Sequence, residues 1–134
     1  MTAREPTAPP LEIVRAAYAA LAAKDLAAVI DLCHPDVVLT QDRALPWGGR
    51  YVGADGLAEF AIALIGAIDS AVTPIAMFAA GDQVVQYGRT AGTARESKKP
   101  FDVPECHVWT VTDGRVSKME FFIDTAAMLD ALRT

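Results

Sequence analysis

Residues 101–123 read FDVPECHVWTVTDGRVSKMEFFI. On both sides of Asp113-Gly114 the large β-forming side chains alternate with other residues, and an Asp-Gly pair between two such runs is a strong short-range hairpin signal. The pattern predicts strands near 102–112 and 115–123. Working back along the chain, Gly81-Asp82 separates two further runs, near 72–79 and 83–95, so the second half is expected to be a four-strand meander. Its register turns on the last hairpin. A two-residue turn at Asp113-Gly114 puts His107 opposite Glu120, whereas a three-residue turn, Thr112-Asp113-Gly114, puts it opposite Met119. One residue of slip turns every side chain to the other face. The three-residue turn is the expectation, because it gathers His107, Trp109, Met119, Phe121 and Ile123 into one apolar wall with a single polar point.

The first half has a different period. Pro10 suits the first turn of a helix, and Leu11, Val14, Tyr18 and Leu21 then recur at three- and four-residue steps to about Ala23. Asp25 can cap a short second helix with Leu26, Val29 and Ile30 on its inner face. Pro35 stops that helix, and Val37-Val38-Leu39 reads as a strand. After the irregular stretch Leu45-Pro46-Trp47-Gly48-Gly49, Gly53 precedes a third helix with Leu57, Phe60, Leu64 and Ile68 on one stripe. A last short helix over 125–132 is capped by Asp124 or Thr125. Residues 1–9 read as a flexible arm and 10–134 as one domain. Helices first and hairpins after them imply an α+β class, with helices against one face of a curved antiparallel sheet. The gap between such a sheet and its helices is a natural place for an apolar ligand.

At 134 residues, 52% of them hydrophobic and 22% charged, the chain can bury a sizeable core without a staple. A formal net charge of -5 gives no field that would collect phosphate backbones, so nucleic acid is not an expected partner. Cys33 and Cys106 lack C-x-x-C spacing and read as thiols of a reducing compartment. No metal site is expected, because no His/Asp/Glu cluster has ligand spacing. The apolar run from Phe60 to Ile68 is too short to span a bilayer, and the start has no apolar signal region, so no membrane partner and a cytoplasmic address are expected.

The segments Tyr18-Ala-Ala-Leu-Ala-Ala-Lys-Asp25-Leu, His34-Pro-Asp-Val-Val38, Leu45-Pro-Trp-Gly-Gly49 with Gly53, and Val111-Thr-Asp-Gly-Arg-Val116 running on to Phe122-Ile-Asp-Thr-Ala126 follow one another in a revealing order. Over nearly the whole chain this order resembles the nuclear transport factor 2-like superfamily, in particular its SnoaL-like and ketosteroid isomerase-like branch. The resemblance implies a cone-shaped domain, often a dimer, with a deep pocket at one end. It fixes function much less, because this scaffold carries isomerases, cyclases, hydrolases, dehydratases and plain binding domains. Against the limonene-epoxide hydrolase-like members, an Arg and an Asp two residues apart and an Asp of the last strand match Arg89, Ala91 and Phe121, so only the arginine survives and water activation between carboxylates is disfavoured. The polyketide cyclase acid of the last strand also falls at Phe121. Against ketosteroid isomerase, the base matches Gln41 or, one residue on, Asp42. The oxyanion-binding acid matches His107, and the helix tyrosine falls at Ala17 or Tyr18.

Each candidate has a plainer reading beside it. Asp42 enters a Pro/Gly loop where desolvation could raise its pKa, or it is a solvated turn residue. His107 can donate to an enolate or shuttle a proton, or it is a structural histidine bonded to a neighbouring strand or to Glu105. Tyr18 is a core aromatic whose hydroxyl still needs a partner. Tyr87 and Arg89 share a strand face, and Arg89 could hold a carbonyl or pair with an acid. Trp47 and Trp109, with Met119 and Phe121, are expected walls of the pocket, while His34 and Asp124 are expected to be structural. The leading expectation is therefore a homodimeric protein with a pocket for a small apolar organic molecule, needing no cofactor. It would move a proton on a carbonyl compound with Asp42 as base and His107, with Tyr18, as oxyanion donors, in the manner of an isomerase or cyclase. The alternative is a non-catalytic ligand-binding or dimerisation domain, favoured by the loss of two family acids at Ala91 and Phe121.

Overall fold

The computed structural model describes residues 8–134. Most of the expected arm, residues 1–7, lies outside the described residues, while Pro9 already accepts the first helical N–H groups, from Glu12 and Ile13. The chain runs through α1 (Pro10–Ala22), α2 (Leu26–Asp31), β1 (Cys33–Gln41), β2 (Gly49–Val52), α3 (Gly53–Ala67), β3 (Ile68–Ala80), β4 (Gln83–Ala94), β5 (Pro100–Thr112), β6 (Arg115–Ile123) and α4 (Thr125–Leu132). Three helices lie in the N-terminal half and a short one closes the chain. Asp25 and Asp124 cap α2 and α4 by accepting the Ala28 and Ala127 N–H groups, contacts worth about 1 kcal/mol each.

The six strands form one sheet in the order β2-β1-β6-β5-β4-β3. All neighbours are antiparallel except β1 and β6, which run parallel. Three details differ from the sequence reading. Gly49–Val52 is a short strand on β1, where no strand was expected. Ile68 opens β3 and does not end the α3 stripe. Leu21 stands 41% exposed, because α1 turns its small residues Ala17 and Ala20 towards the core in its place.

The β5–β6 turn corrects the expected register. Thr112 pairs with Arg115, so the turn has two residues, not three, and both central residues have positive φ, 50° at Asp113 and 79° at Gly114. This is the turn geometry that matches the twist of the flanking strands. The register then shifts between Thr110 and Val111, with Ser117 as the extra residue on β6, and His107 comes opposite Phe121. It faces neither Glu120 nor Met119. The bulge adds one residue to the turn's offset, and two odd steps restore parity. The expected wall of His107, Trp109, Met119, Phe121 and Ile123 therefore forms by another route.

That wall belongs to the face the helices cover. Val14, Val29, Leu39, Leu57, Phe60, Trp109, Met119 and Met128 form its core. On the same face Gly88 of β4 can be nothing larger: a Cβ there would strike the backbone of Thr73 and Pro74, where β3 carries its own bulge, and would sit 2.9 Å from Gln86 Oε1.

Candidate functional site

Alternation along β5 sets Glu105, His107 and Trp109 on the covered face, and Gln86 joins them because β4 pairs Gln86 with His107. Tyr18 reaches down from α1. These five side chains form a buried polar cluster inside an apolar shell. Trp109 Nε1 and Gln86 Nε2 both donate to the Tyr18 hydroxyl oxygen, at 2.9 and 3.0 Å. With two donors already directed at that oxygen, the hydroxyl proton goes to His107 Nδ1, at 2.7 Å. His107 therefore carries its proton on Nε2, which lies 3.1 Å from Glu105 Oε2. Gln86 Nε2 donates to the same carboxylate oxygen at 3.0 Å. The reverse amide orientation would set an oxygen against Glu105 Oε2, so these partners fix Gln86 as well.

Burial decides the charge state of each member. It pushes His107 down to about 3, so the ring is neutral through the physiological range. Burial raises Glu105 to about 6, with the Gln86 hydrogen bond acting in the opposite sense. Tyr18 is raised, again chiefly by burial, so its hydroxyl stays protonated. Phe121 packs its ring 4.2 Å from that of His107, and Tyr18 stacks nearly parallel to His107 on centroids 6.0 Å apart.

The remaining candidates fall into two groups. Met119 and Phe121 line the cluster beside Trp109, which belongs to it. Trp47 is buried and donates from Nε1 to Gln41 Oε1 at 3.0 Å, while Gln41 pairs with Phe121 across β1 and β6. Tyr87 and Arg89 stand on the opposite face of the sheet, where Arg89 binds Asp102 at 2.6 Å in solvent. Asp42 is exposed, and its Oδ1 accepts the Ala44 N–H at 2.8 Å in a local turn. The structure thus brings His107 and Tyr18 together and leaves Asp42 outside the cluster. It adds Gln86 and Glu105, which the sequence reading did not single out as site residues. The signal for both was strand alternation, since 105 and 107 differ by two and Gln86 shares a face with Val84 and Thr90.

Two surface hollows flank this core. One of about 440 Å³ lies between α2, the start of β1 and α3, lined by Ile30, His34, Val37, Leu57 and Arg115 among others. The other, about 300 Å³, is lined by Pro46, Ala67, Ala94, Ser97 and Leu132. It opens at the end of the sheet from which Phe101, Val103, Glu105, His107 and Trp109 run inward along β5. Among the described residues no group of three His, Cys, Asp or Glu side chains is placed to hold a metal ion. No helix there is long and apolar enough to cross a membrane.

An open curved sheet wrapped around α1 and α3, with a polar cluster in its hollow face, defines an NTF2-like α+β protein. The chain belongs to the SnoaL-like domain family, whose profile matches residues 14–119. It is similar to a crystallised NTF2-like protein from Burkholderia thailandensis E264, with 31% identity over 95% of this chain and 99% of that one, and a TM-score of 0.89. The fold is also that of TerC, co-crystallised with polyporic acid (24% identity, 95% and 100% covered, TM-score 0.87). A protein of ketosteroid isomerase-like fold from Catenulispora acidiphila DSM 44928, in complex with trimethylamine, shares it too (22% identity, 92% and 93% covered, TM-score 0.77). No curated protein matches the chain.

Proposed function

We propose that this protein binds a small, largely apolar carbonyl compound against the Tyr18/Gln86/Glu105/His107 cluster and moves a proton on it, with Glu105 as the base. The observation that carries this reading is a carboxyl group buried on the concave face and raised to about 6, beside a neutral histidine. A base titrating just below neutrality is ionised at working pH and still takes a proton readily. Asp42, the base expected from the family resemblance, has one oxygen committed to Ala44 N–H at the surface and no such environment. Occupied relatives of the fold support a role for small ligands: TerC was crystallised with polyporic acid and the Catenulispora protein with trimethylamine. We assign two copies to the working unit, paired through the outer face of the sheet, where Phe78, Tyr87 and Phe122 are each about half exposed.

The test is a thermal-shift screen against steroids, polyketides, terpenoids and small enones, since a ligand of the native state raises the melting temperature. At least one class should stabilise the protein. For a ligand that is also turned over, Glu105→Gln should cut the rate at least about a hundredfold and Asp42→Asn should leave it unchanged. The opposite pair of results would return the base to Asp42.

A further inference from the structure

The donors and acceptors of the cluster do not balance, and the imbalance says what a ligand must bring. Tyr18 spends its proton on His107 Nδ1, Trp109 spends its own on Tyr18, and His107 Nε2–H points to Glu105 Oε2. The two Gln86 N–H groups go to Tyr18 and Glu105, with His107 Nδ1 a longer third contact at 3.3 Å. Every polar proton of the cluster is used. Two oxygens remain: Gln86 Oε1 and Glu105 Oε1 are shut off from solvent and have no hydrogen-bond partner among the described residues. They flank one 3.0 Å hydrogen bond beside Gly88, which pairs with Glu105 across the β4–β5 ladder and whose own side is closed by the Thr73 and Pro74 backbone. A buried acceptor left without a donor is costly, and a buried carboxylate oxygen more so.

We infer that the cluster recognises hydroxyl donors, so that its ligand is a phenolic or enolised ring compound whose O–H groups bond Gln86 Oε1 and Glu105 Oε1, and not a plain ketone. This rests on the proposed binding reading and narrows it. A ketone oxygen would meet two more acceptors and no proton, whereas an enol or phenol satisfies both. The same count removes the oxyanion-donor role expected for His107 and Tyr18, whose protons are already committed. A site built around unpaired polar groups discriminates strongly against an analogue that lacks the matching group.

Matched probes separate the outcomes: 2,3-dihydroxynaphthalene and 2-naphthol against 2-methoxynaphthalene and 1,4-naphthoquinone, titrated into the purified protein by calorimetry. The hydroxylated probes should bind at least about tenfold more tightly than the methyl ether and the quinone, in the order diol, monohydroxyl, ether. Glu105→Gln places an amide at that position, which can donate, and should shrink or reverse the preference. Equal binding of all four probes, or an unchanged preference in Glu105→Gln, would overturn the inference and leave the apolar-ligand reading standing. Binding of none of them would overturn both, with the two oxygens then bridged by an ordered water only.

Discussion

Burial moves Glu105 and His107 in opposite directions, and their effects on stability oppose each other in the acid range. Glu105 rises from 4.5 to about 6 on folding, so by itself it makes the fold less stable as pH climbs from 4.5 through 6. His107 falls from 6.5 to about 3, so by itself it makes the fold less stable as pH drops from 6.5 through 3. Between about 6 and 4.5 the folded pair holds one proton on Glu105 and the unfolded pair holds one on His107, so their joint contribution is flat. Below 4.5 the unfolded chain takes a second proton and stability declines. Glu105→Gln should uncover the histidine: its unfolding free energy in urea should fall by about 1.4 kcal/mol per pH unit below 6.5, whereas the parent protein stays level to about 4.5. Equal pH profiles for the two would mean that Glu105 titrates alike in the folded and unfolded chain, and a flat profile for Glu105→Gln would mean that His107 does. The pairing was legible in part, because alternation places residues 105 and 107 on one face. What the sequence hid is that Asp42 satisfies its own turn, a local choice made by one Ala44 N–H.

The elements were legible wherever period and punctuation agreed, as in the extent of α1, the two Asp caps and the places of the Gly81-Asp82 and Asp113-Gly114 turns, although the second turn has two residues and not the three expected. The bulge at Ser117 was not, because no residue type demands one there and its cause is tertiary: the wall is apolar only if Met119 and Phe121 face inward. The extra residue itself can therefore be removed, whereas a residue beyond it cannot. Without Ser117, Lys118 follows Val116 directly, the pairs from Thr110–Lys118 to His107–Phe121 are kept, and that variant should melt cooperatively within a few degrees of the parent. Deleting Glu120 instead makes Met119 and Phe121 sequence neighbours, so that only one of them can face inward, and should abolish cooperative melting. A Glu120-deletion variant that melts like the parent would show that the wall does not need both Met119 and Phe121. β2 was missed for a plainer reason. Its four residues carry two adjacent signals, a Gly-rich loop and a helix start, and the strand exists only because Leu39 and Thr40 offer an edge to Tyr51 and Arg50.

At the scale of the whole molecule, the outer face of the sheet carries a row of apolar groups in register across four strands: Ala76, Tyr87, Cys106 and Phe122. Tyr87 at 47% and Phe122 at 55% exposure are large groups for a water-facing sheet, and such a patch marks an interaction surface. The second copy proposed above would use it, since a two-fold pairing sets like against like. Phe122→Glu should convert a dimer to a monomer in light scattering while leaving the melting transition cooperative; a parent protein that is monomeric at micromolar concentration would remove the assignment. The sheet order has a consequence of a different kind, in time. β1 lies between β2 and β6, and its parallel partner is made near the end of the chain: Val38 pairs with Lys118. While the protein is being synthesised, β1 and β2 leave the ribosome as a narrow hairpin open on both sides, and the meander from β3 to β6 must be released before the β1 edge is covered. Long-range pairing of this sort slows folding, so the exposed β1 edge is the place where a chaperone would hold this chain and where a stalled or truncated product would begin to aggregate.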